Sequence, residues 1–317
     1  VAPSRGLGDV YKRQEQDEET AYSLLFRSYS KGNPYAAYEL GKLYETGCGT
    51  EKNQEKSENC YRVAFLGFLN LEKRSKDDTL WYRIGCMYLH GIGTEADETK
   101  AEHYLTKASD YGNTHASYQL ARLYIRQESQ KLSGESGTAP DYAKIAKAVK
   151  WLEESAAQEN PFADYAIGRL YREGTLVAED MEKAVFHLKR AANAGNSYAQ
   201  YQLGKIYLEE DTKNIPAAIQ YLTLAAKQKN QFAAYRLGKL YLAGEELPKN
   251  TELALHYLKM AADTENQYAQ YALGKVYLIG KDVQQDKELA YDYFLKSAEQ
   301  GNIYAAYFLE HWNDMPH

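Results

Sequence analysis

Eight tyrosines, Tyr38, Tyr82, Tyr118, Tyr165, Tyr201, Tyr235, Tyr271 and Tyr307, recur at near-constant spacing, and six of them are followed four residues later by a lysine or arginine. In the C-terminal half the set reads Tyr165, Arg169, Tyr201, Lys205, Tyr235, Lys239, Tyr271 and Lys275. Tyr198, Phe232 and Tyr268 each stand three residues ahead of one of these tyrosines. Rigid aromatic area beside basic donors is the chemistry of holding a peptide. It is not the chemistry of turning over a substrate.

The other reactive residue types do not assemble. The GxG at 91–93 has no strand before it and no third glycine at the distance a phosphate loop needs. Seven histidines contain no HExxH pair, and His103, His187 and His256 fall on separate segments one repeat or more apart. Adjacent carboxylates such as Glu153-Glu154 and Glu245-Glu246 point in different directions from a helix and read as solvated surface. Lys249 reads as a plain exposed lysine. Cys48, Cys60 and Cys86 have unrelated spacings and form neither a disulfide framework nor a metal knuckle. No catalytic, cofactor-binding or metal-binding residue is expected, and the chain reads as a non-enzyme.

The tyrosines ride on a repeat. NQYAQYALGKVYL at 266–278 returns as NQFAAYRLGKLYL at 230–242, NSYAQYQLGKIYL at 196–208, NPFADYAIGRLYR at 160–172, NTHASYQLARLYI at 113–125 and NPYAAYELGKLYE at 33–45. A degenerate copy, DDTLWYRIGCMYL, fills 77–89, and NIYAAYFLEHWND closes the series at 302–314. Asparagines at 160, 196, 230, 266 and 302 are 36, 34, 36 and 36 residues apart, a period of stacked supersecondary units.

Counting the Asn as zero, small or apolar residues fall at three, seven, eight, ten and eleven, which crowd one side of a helix. A second helical pattern follows a short loop, as in Ala254, Leu258, Ala261, Ala262 and in Ala184, Leu188, Ala191, Ala192. Each unit is therefore a helix A, a turn and a helix B. On the helix A wheel, position five lies about 140° round, position two about 200° and position nine about 180°, against a core centred near 350°. The tyrosines and cations face away from the core of their own repeat.

The junctions agree. Gly32-Asn33, Gly112-Asn113, Gly195-Asn196 and Gly301-Asn302 set a left-handed terminator beside an N-cap. Pro34 and Pro161 stand at the first helical position. Glycine inside helix A (Gly41, Gly85, Gly168, Gly204, Gly238, Gly274) should cost roughly 1 kcal/mol relative to alanine. Its recurrence predicts a close neighbour, helix B at its alanines.

Residues 15–31 read as a preceding helix B, and residues 72–78 as a charged, irregular connector. The stretch 127–141, QESQKLSGESGTAPD, reads as a flexible insertion. The last unit has a helix A only, with Glu310 at the glycine position, as suits a terminal cap. Residues 1–14 fit no repeat; DVYKRQ resembles a translated sequencing adaptor, so this segment is expected to be non-native or disordered, with the natural N-terminus missing. The expected fold is all-α, an α/α solenoid of about seven helix-turn-helix repeats and a C-terminal capping helix over residues 15–317.

The A-x-Y-x-LGxLY and A-x3-L-x2-AA runs, with the turns Gly47-Cys48-Gly49 and Gly91-Ile92-Gly93, resemble the Sel-one-like repeat family, relatives of tetratricopeptide repeats. The resemblance covers nearly everything after residue 15. It implies a right-handed superhelix acting as an adaptor for protein complexes, with no cofactor. The C-terminal units are also similar to repeats that follow relaxase domains in mobilisation proteins of gut bacteria, although no relaxase motif is present.

A net charge of -6 argues against nucleic-acid binding by the repeats. No apolar run approaches 18 residues, so no membrane span is expected. The expected compartment is the cytoplasm rather than the periplasm, with targeting information lost along with the N-terminus. The expected partner is a protein or peptide, acidic in character, held in the concave groove by Tyr165, Arg169, Tyr198, Tyr201, Lys205, Phe232, Tyr235, Lys239, Tyr268, Tyr271 and Lys275. A plainer reading stands beside it, in which successive tyrosines pack on one another and lysine stems cover the rings. The alternative function is an accessory region of a larger mobilisation relaxase.

Overall fold

A computed structural model describes the backbone of residues 4–134 and 139–312. Among them are sixteen α-helices, one short 3-10 helix and no strand. The chain divides into two compact units, Val1–Ser155 and Ala156–His317. The first holds α1 (Ser4–Tyr29), α2 (Pro34–Thr46), α3 (Gln54–Glu72), α4 (Asp78–His90), α5 (Glu98–Asp110), α6 (Thr114–Ser133) and most of α7 (Tyr142–Ala157). The second holds α8 (Pro161–Glu173), α9 (Met181–Asn193), α10 (Ser197–Ile206), α11 (Ile215–Lys227), α12 (Gln231–Ala243), α13 (Thr251–Ala262), α14 (Gln267–Ile279), α15 (Lys287–Glu299) and α16 (Ile303–Glu310). Even-numbered helices are the A helices, and from α3 the odd-numbered ones are their B partners.

Local chemistry explains where each helix begins. Every helix from α2 to α16 starts on an Asn or Asp whose side-chain oxygen accepts a first-turn N–H. Asn33, Asn113, Asn160, Asn196, Asn230, Asn266 and Asn302 cap A helices. Asp77 caps the degenerate one, and Asn53, Asp97, Asp141, Asp180, Asn214, Asn250 and Asp286 cap the B helices. Each such cap stabilises its helix by about 1 kcal/mol relative to alanine.

In most repeats helix A ends at the residue fourteen places after its cap. Gly47, Gly91, Gly174, Gly244 and Gly280 stand there, with φ between +62° and +79°, and stop the helix in the left-handed region. Gln127 occupies that place in the third repeat, so α6 runs on to Ser133. The expected insertion at 127–141 is thus helical over its first seven residues, and residues 135–138 lie outside the described residues. Glu128, fully buried, accepts from Lys131 Nζ and from the Asp141 N–H at 2.8 Å each, which ties the extended helix to the start of α7. Glu210 holds the same place in the 34-residue repeat, and there the chain tightens into the 3-10 helix Glu210–Thr212. At the N-terminus the backbone is helical from Ser4, so residues 4–14 of the segment expected to be non-native or disordered are the first part of α1.

In the second unit each helix packs on its sequence neighbours. Ala163, Ile167, Ala199, Leu203, Ala233, Leu237, Ala269 and Leu273 of the A helices are fully buried, as are Ala184, Leu188, Ala218, Leu222, Ala254, Leu258, Ala290 and Phe294 of the B helices. The helix A glycines do mark a close approach, but chiefly to a larger residue than expected. A Cβ on Gly238 would lie 2.6 Å from Leu258 Cγ and 3.2 Å from the Ala254 carbonyl. Helix B thus wedges its leucine into the gap, and its alanine contributes backbone.

Candidate functional site

The A helices of the second unit place the position-five and position-two rings of successive repeats against each other. Tyr165 meets Tyr198 at 6.1 Å between ring centroids, Tyr201 meets Phe232 at 5.9 Å, and Tyr235 meets Tyr268 at 6.1 Å. Tyr271 meets Tyr304 at 6.1 Å, and all four pairs are tilted by 35–41°. Within each pair the roles differ. Position-five tyrosines are half-buried, and Tyr201 and Tyr235 pack on the cluster containing Leu222, Leu237, Leu258 and Leu273. Burial pushes the phenols of Tyr201, Tyr235 and Tyr271 above their ordinary pKa. The position-two rings stay 45–63% exposed. Inter-repeat packing and an open aromatic face therefore coexist in the same ladder.

The four cations are not equivalent. Arg169 lies 5.9 Å from the Tyr165 ring and donates from Nε (3.0 Å) and an Nη (2.5 Å) to Glu173, an ion pair that spends its charge locally. Lys205 and Lys275 each sit 5.8 Å over Tyr201 and Tyr271. Lys239 and Lys275 are exposed, and no ion-pair partner of either is found among the described residues. Burial, with the positive charges of Arg172 and Arg236, holds the Lys205 amine below the usual lysine value.

These residues converge on a recess of about 300 Å³ between α12 and α14, lined by Tyr235, Lys239, Leu242, Tyr271, Ala272, Lys275, Val276, Ile279, Lys281 and Asp282. Four of the eleven sequence-selected residues meet there. Tyr165, Arg169, Tyr198, Tyr201, Lys205, Phe232 and Tyr268 continue the face beyond it. Leu242 stands where Leu89, Leu208 and Leu278 stand and reads as part of the repeat, whereas Ile279, Lys281 and Arg236 escape the sequence pattern because each stands at a position or loop site that most other repeats fill differently. Their signal was only that an apolar Ile279 follows the helix pattern at its exposed end.

A second tyrosine series explains much of the abundance of this residue. Tyr207 stacks on Tyr221, Tyr241 on Tyr257 and Tyr277 on Tyr293 at 5.9–6.0 Å, nearly parallel, as does Tyr88 on Tyr104 in the first unit. These pairs join helix A to helix B within a repeat and are structural. Where that B-helix place is His187, its Nδ1 instead contacts the buried Asp164 at 2.8 Å. Among the described residues no three His, Cys, Asp or Glu side chains converge as a metal site would require, and no helix is long and apolar enough to cross a membrane.

The Sel1 repeat model matches seven segments, 34–65, 82–113, 114–160, 161–196, 197–230, 231–263 and 267–302, well over half of the sequence. No curated protein matches the chain. Among solved structures, one similar to it is a protective antigen of uropathogenic Escherichia coli strains that displays an SLR fold, at 24% identity and a TM-score of 0.64. That match covers 95% of this chain and 64% of the other, so the present chain spans less than two thirds of that relative. Another is a Sel1 repeat protein from Oxalobacter formigenes, at 26% identity and a TM-score of 0.63, covering 92% of this chain and 79% of that one. The likeness establishes an all-helical, solenoid-type repeat fold.

Proposed function

The chain belongs to the Sel1 repeat family, and from that premise we propose that it is a non-catalytic scaffold holding a protein or peptide segment of acidic character along the A-helix face of its second unit. The observation that carries this reading is the recess in which Tyr235, Lys239, Tyr271 and Lys275 meet, because it joins apolar depth to lysines without ion-pair partners. Elsewhere on this unit, cations of the helix ends and loops are paired across repeats, Arg172 with Glu209 at 2.5 Å, Lys213 with Glu246 at 3.1 Å and Lys249 with Asp282 at 2.6 Å. Positive charge left uncompensated in a chain of net charge -6 favours an anionic partner. An accessory role in a larger mobilisation protein rests on resemblance alone and uses the same face.

The test exploits the division of labour between the rings. A variant carrying Phe232→Ser, Lys239→Ser, Tyr268→Ser and Lys275→Ser removes exposed members and spares the packed tyrosines. Against a displayed library of random peptides, the parent should enrich acidic sequences, more weakly as salt rises, because exposed charges are screened. The variant should enrich none while melting within a few degrees of the parent. Equal enrichment by both would refute the assignment of this face.

A further inference from the structure

Resting on that reading, we propose that the site recognises a two-point motif. An apolar side chain occupies the recess between α12 and α14, and an anionic side chain about three residues away is held by Lys205 and Arg236. The first point follows from the lining. Tyr235, Tyr271, Leu242, Val276 and Ile279 supply apolar walls, and Ile279, 61% exposed, adds apolar area at the rim. A volume of about 300 Å³ sits at the lower bound for small-molecule pockets, about 300–1,000 Å³, and suits one side chain better than a whole ligand. Lys239, Lys275 and Lys281 ring it, and its acidic member, Asp282, is taken by Lys249.

The second point lies one repeat earlier. Arg236 holds position six of α12, the position from which Gln202 of α10 reaches Arg172 of the preceding A helix and Arg83 of α4 reaches over Tyr38 of α2, so it stands beside the previous step of the ladder, and its charge acts on Tyr201 and Lys205 there. Arg172 beside it is occupied by Gln202 and Glu209 at 2.5 Å each, whereas no ion-pair partner of Lys205 or Arg236 is found among the described residues. Three cations, Arg172, Lys205 and Arg236, thus share the single carboxylate of Glu209, and the positive charge left over favours a further anion. Neighbouring helices pack about 8–10 Å apart and an extended peptide advances about 3.3–3.6 Å per residue, so one step of the ladder corresponds to about three residues.

Peptides enriched on the full chain should share an apolar residue and, about three positions from it, Glu, Asp or phosphoserine. The strongest is then synthesised with a fluorescein label and titrated by anisotropy. Replacing its acidic residue with Gln should weaken binding about tenfold. The Lys205→Ser/Arg236→Ser double variant should bind the Glu and Gln peptides alike. Ala272→Phe, which fills the recess, should abolish binding of both; where it disturbs folding, Ile279→Lys at the exposed rim replaces it. Peptides excluded by the filled recess but indifferent to Glu→Gln would overturn the two-point motif and leave the groove standing. Peptides indifferent to every one of these variants would sink the groove and the motif together.

Discussion

The two units are built from one repeat and treat its tyrosine face in opposite ways. In the first, the Arg83 guanidinium lies 5.4 Å from the Tyr35 ring and 5.7 Å from the Tyr38 ring, and Lys42 pairs with Glu39 at 3.0 Å. His115 takes the place of an aromatic step beside Tyr82. In the second, four aromatic pairs share one geometry and their cations are largely left over. What differs is not position five, which is tyrosine throughout, but positions two and six. The repeat dictates the core and the caps, and residues it leaves unconstrained decide whether a face is closed by the chain itself or left open. A further contrast lies in buried polar groups. The first unit sets carboxylates into its packing, with Glu72 accepting from Lys107 at 2.6 Å and from Trp81 at 3.2 Å, and Glu128 fully buried. The second buries the Asp164 carboxylate beside His187 and Arg190, and otherwise uses amides at Gln200 and Gln270, which receive Gln228 and Gln300 at 2.9 and 2.7 Å.

The largest effects should come from the cores, where the units ought to respond separately. Leu237→Ala and Phe68→Ala remove fully buried side chains and should each cost about 2–5 kcal/mol. Hydrogen exchange should show protection falling first in the unit that carries the change. Equal loss in both units would break the comparison.

Next come the carboxylates. Glu128→Ala would orphan the Asp141 N–H and should cost about 1–3 kcal/mol. Glu72 is held below the usual glutamate range by its hydrogen bond from Lys107; Glu128 is also low, because Lys131 and the Asp141 N–H outweigh the burial that opposes them. A lowered native pKa adds stability that is present above the ordinary carboxylate range and is lost as pH falls through the lowered values. Exchange protection in the first unit should therefore weaken ahead of the second on acidification, and Glu128→Gln should shrink that gap.

Smaller still are the junctions. Glu159, Lys229 and Glu265 adopt φ of 61–62° where Gly32, Gly112, Gly195 and Gly301 stand in other repeats. Lys229→Gly should stabilise by about 0.5–1 kcal/mol, the left-handed cost offset in part by the added freedom of the unfolded chain. Gly195→Ala should lower the melting temperature. Least affected in stability is Lys249→Ala. That lysine is not the uninvolved residue its sequence context suggests, since it holds Asp282 at the rim of the recess. Its loss should stay within about 0.5 kcal/mol of the parent, yet free Asp282 and weaken an acidic peptide about twofold.

The fold could be read because its determinants recur. The Asn caps, the Ala and Leu of both core faces and the helix A glycines are each repeated, so an error in one copy is outvoted by the others. The aromatic ladder was legible for the same reason. Arg236, Ile279 and Lys281 were not, since averaging over repeats erases whatever is particular to one of them. The same averaging made Gln127 look like the start of a loop, when the physical meaning of a missing left-handed glycine is that the helix continues. Exposure of a ring, and whether a lysine is free or spent on a neighbouring carboxylate, depends on contacts across repeats that no periodicity encodes.

The residue fourteen places after each cap has a practical corollary for anyone wishing to rebuild this molecule. It behaves as a length gauge: glycine closes the helix at once and with Gln127 the helix runs on by two turns, while in the 34-residue repeat α10 stops at Ile206 and a 3-10 turn from Glu210 completes the connection; in each case the next helix still starts on its own Asn or Asp cap. Start and stop are thus written separately. The joint between them is a natural grafting point, where foreign segments of different length can be spliced in and presented at intervals of one repeat, without rewriting the residues that make the stack.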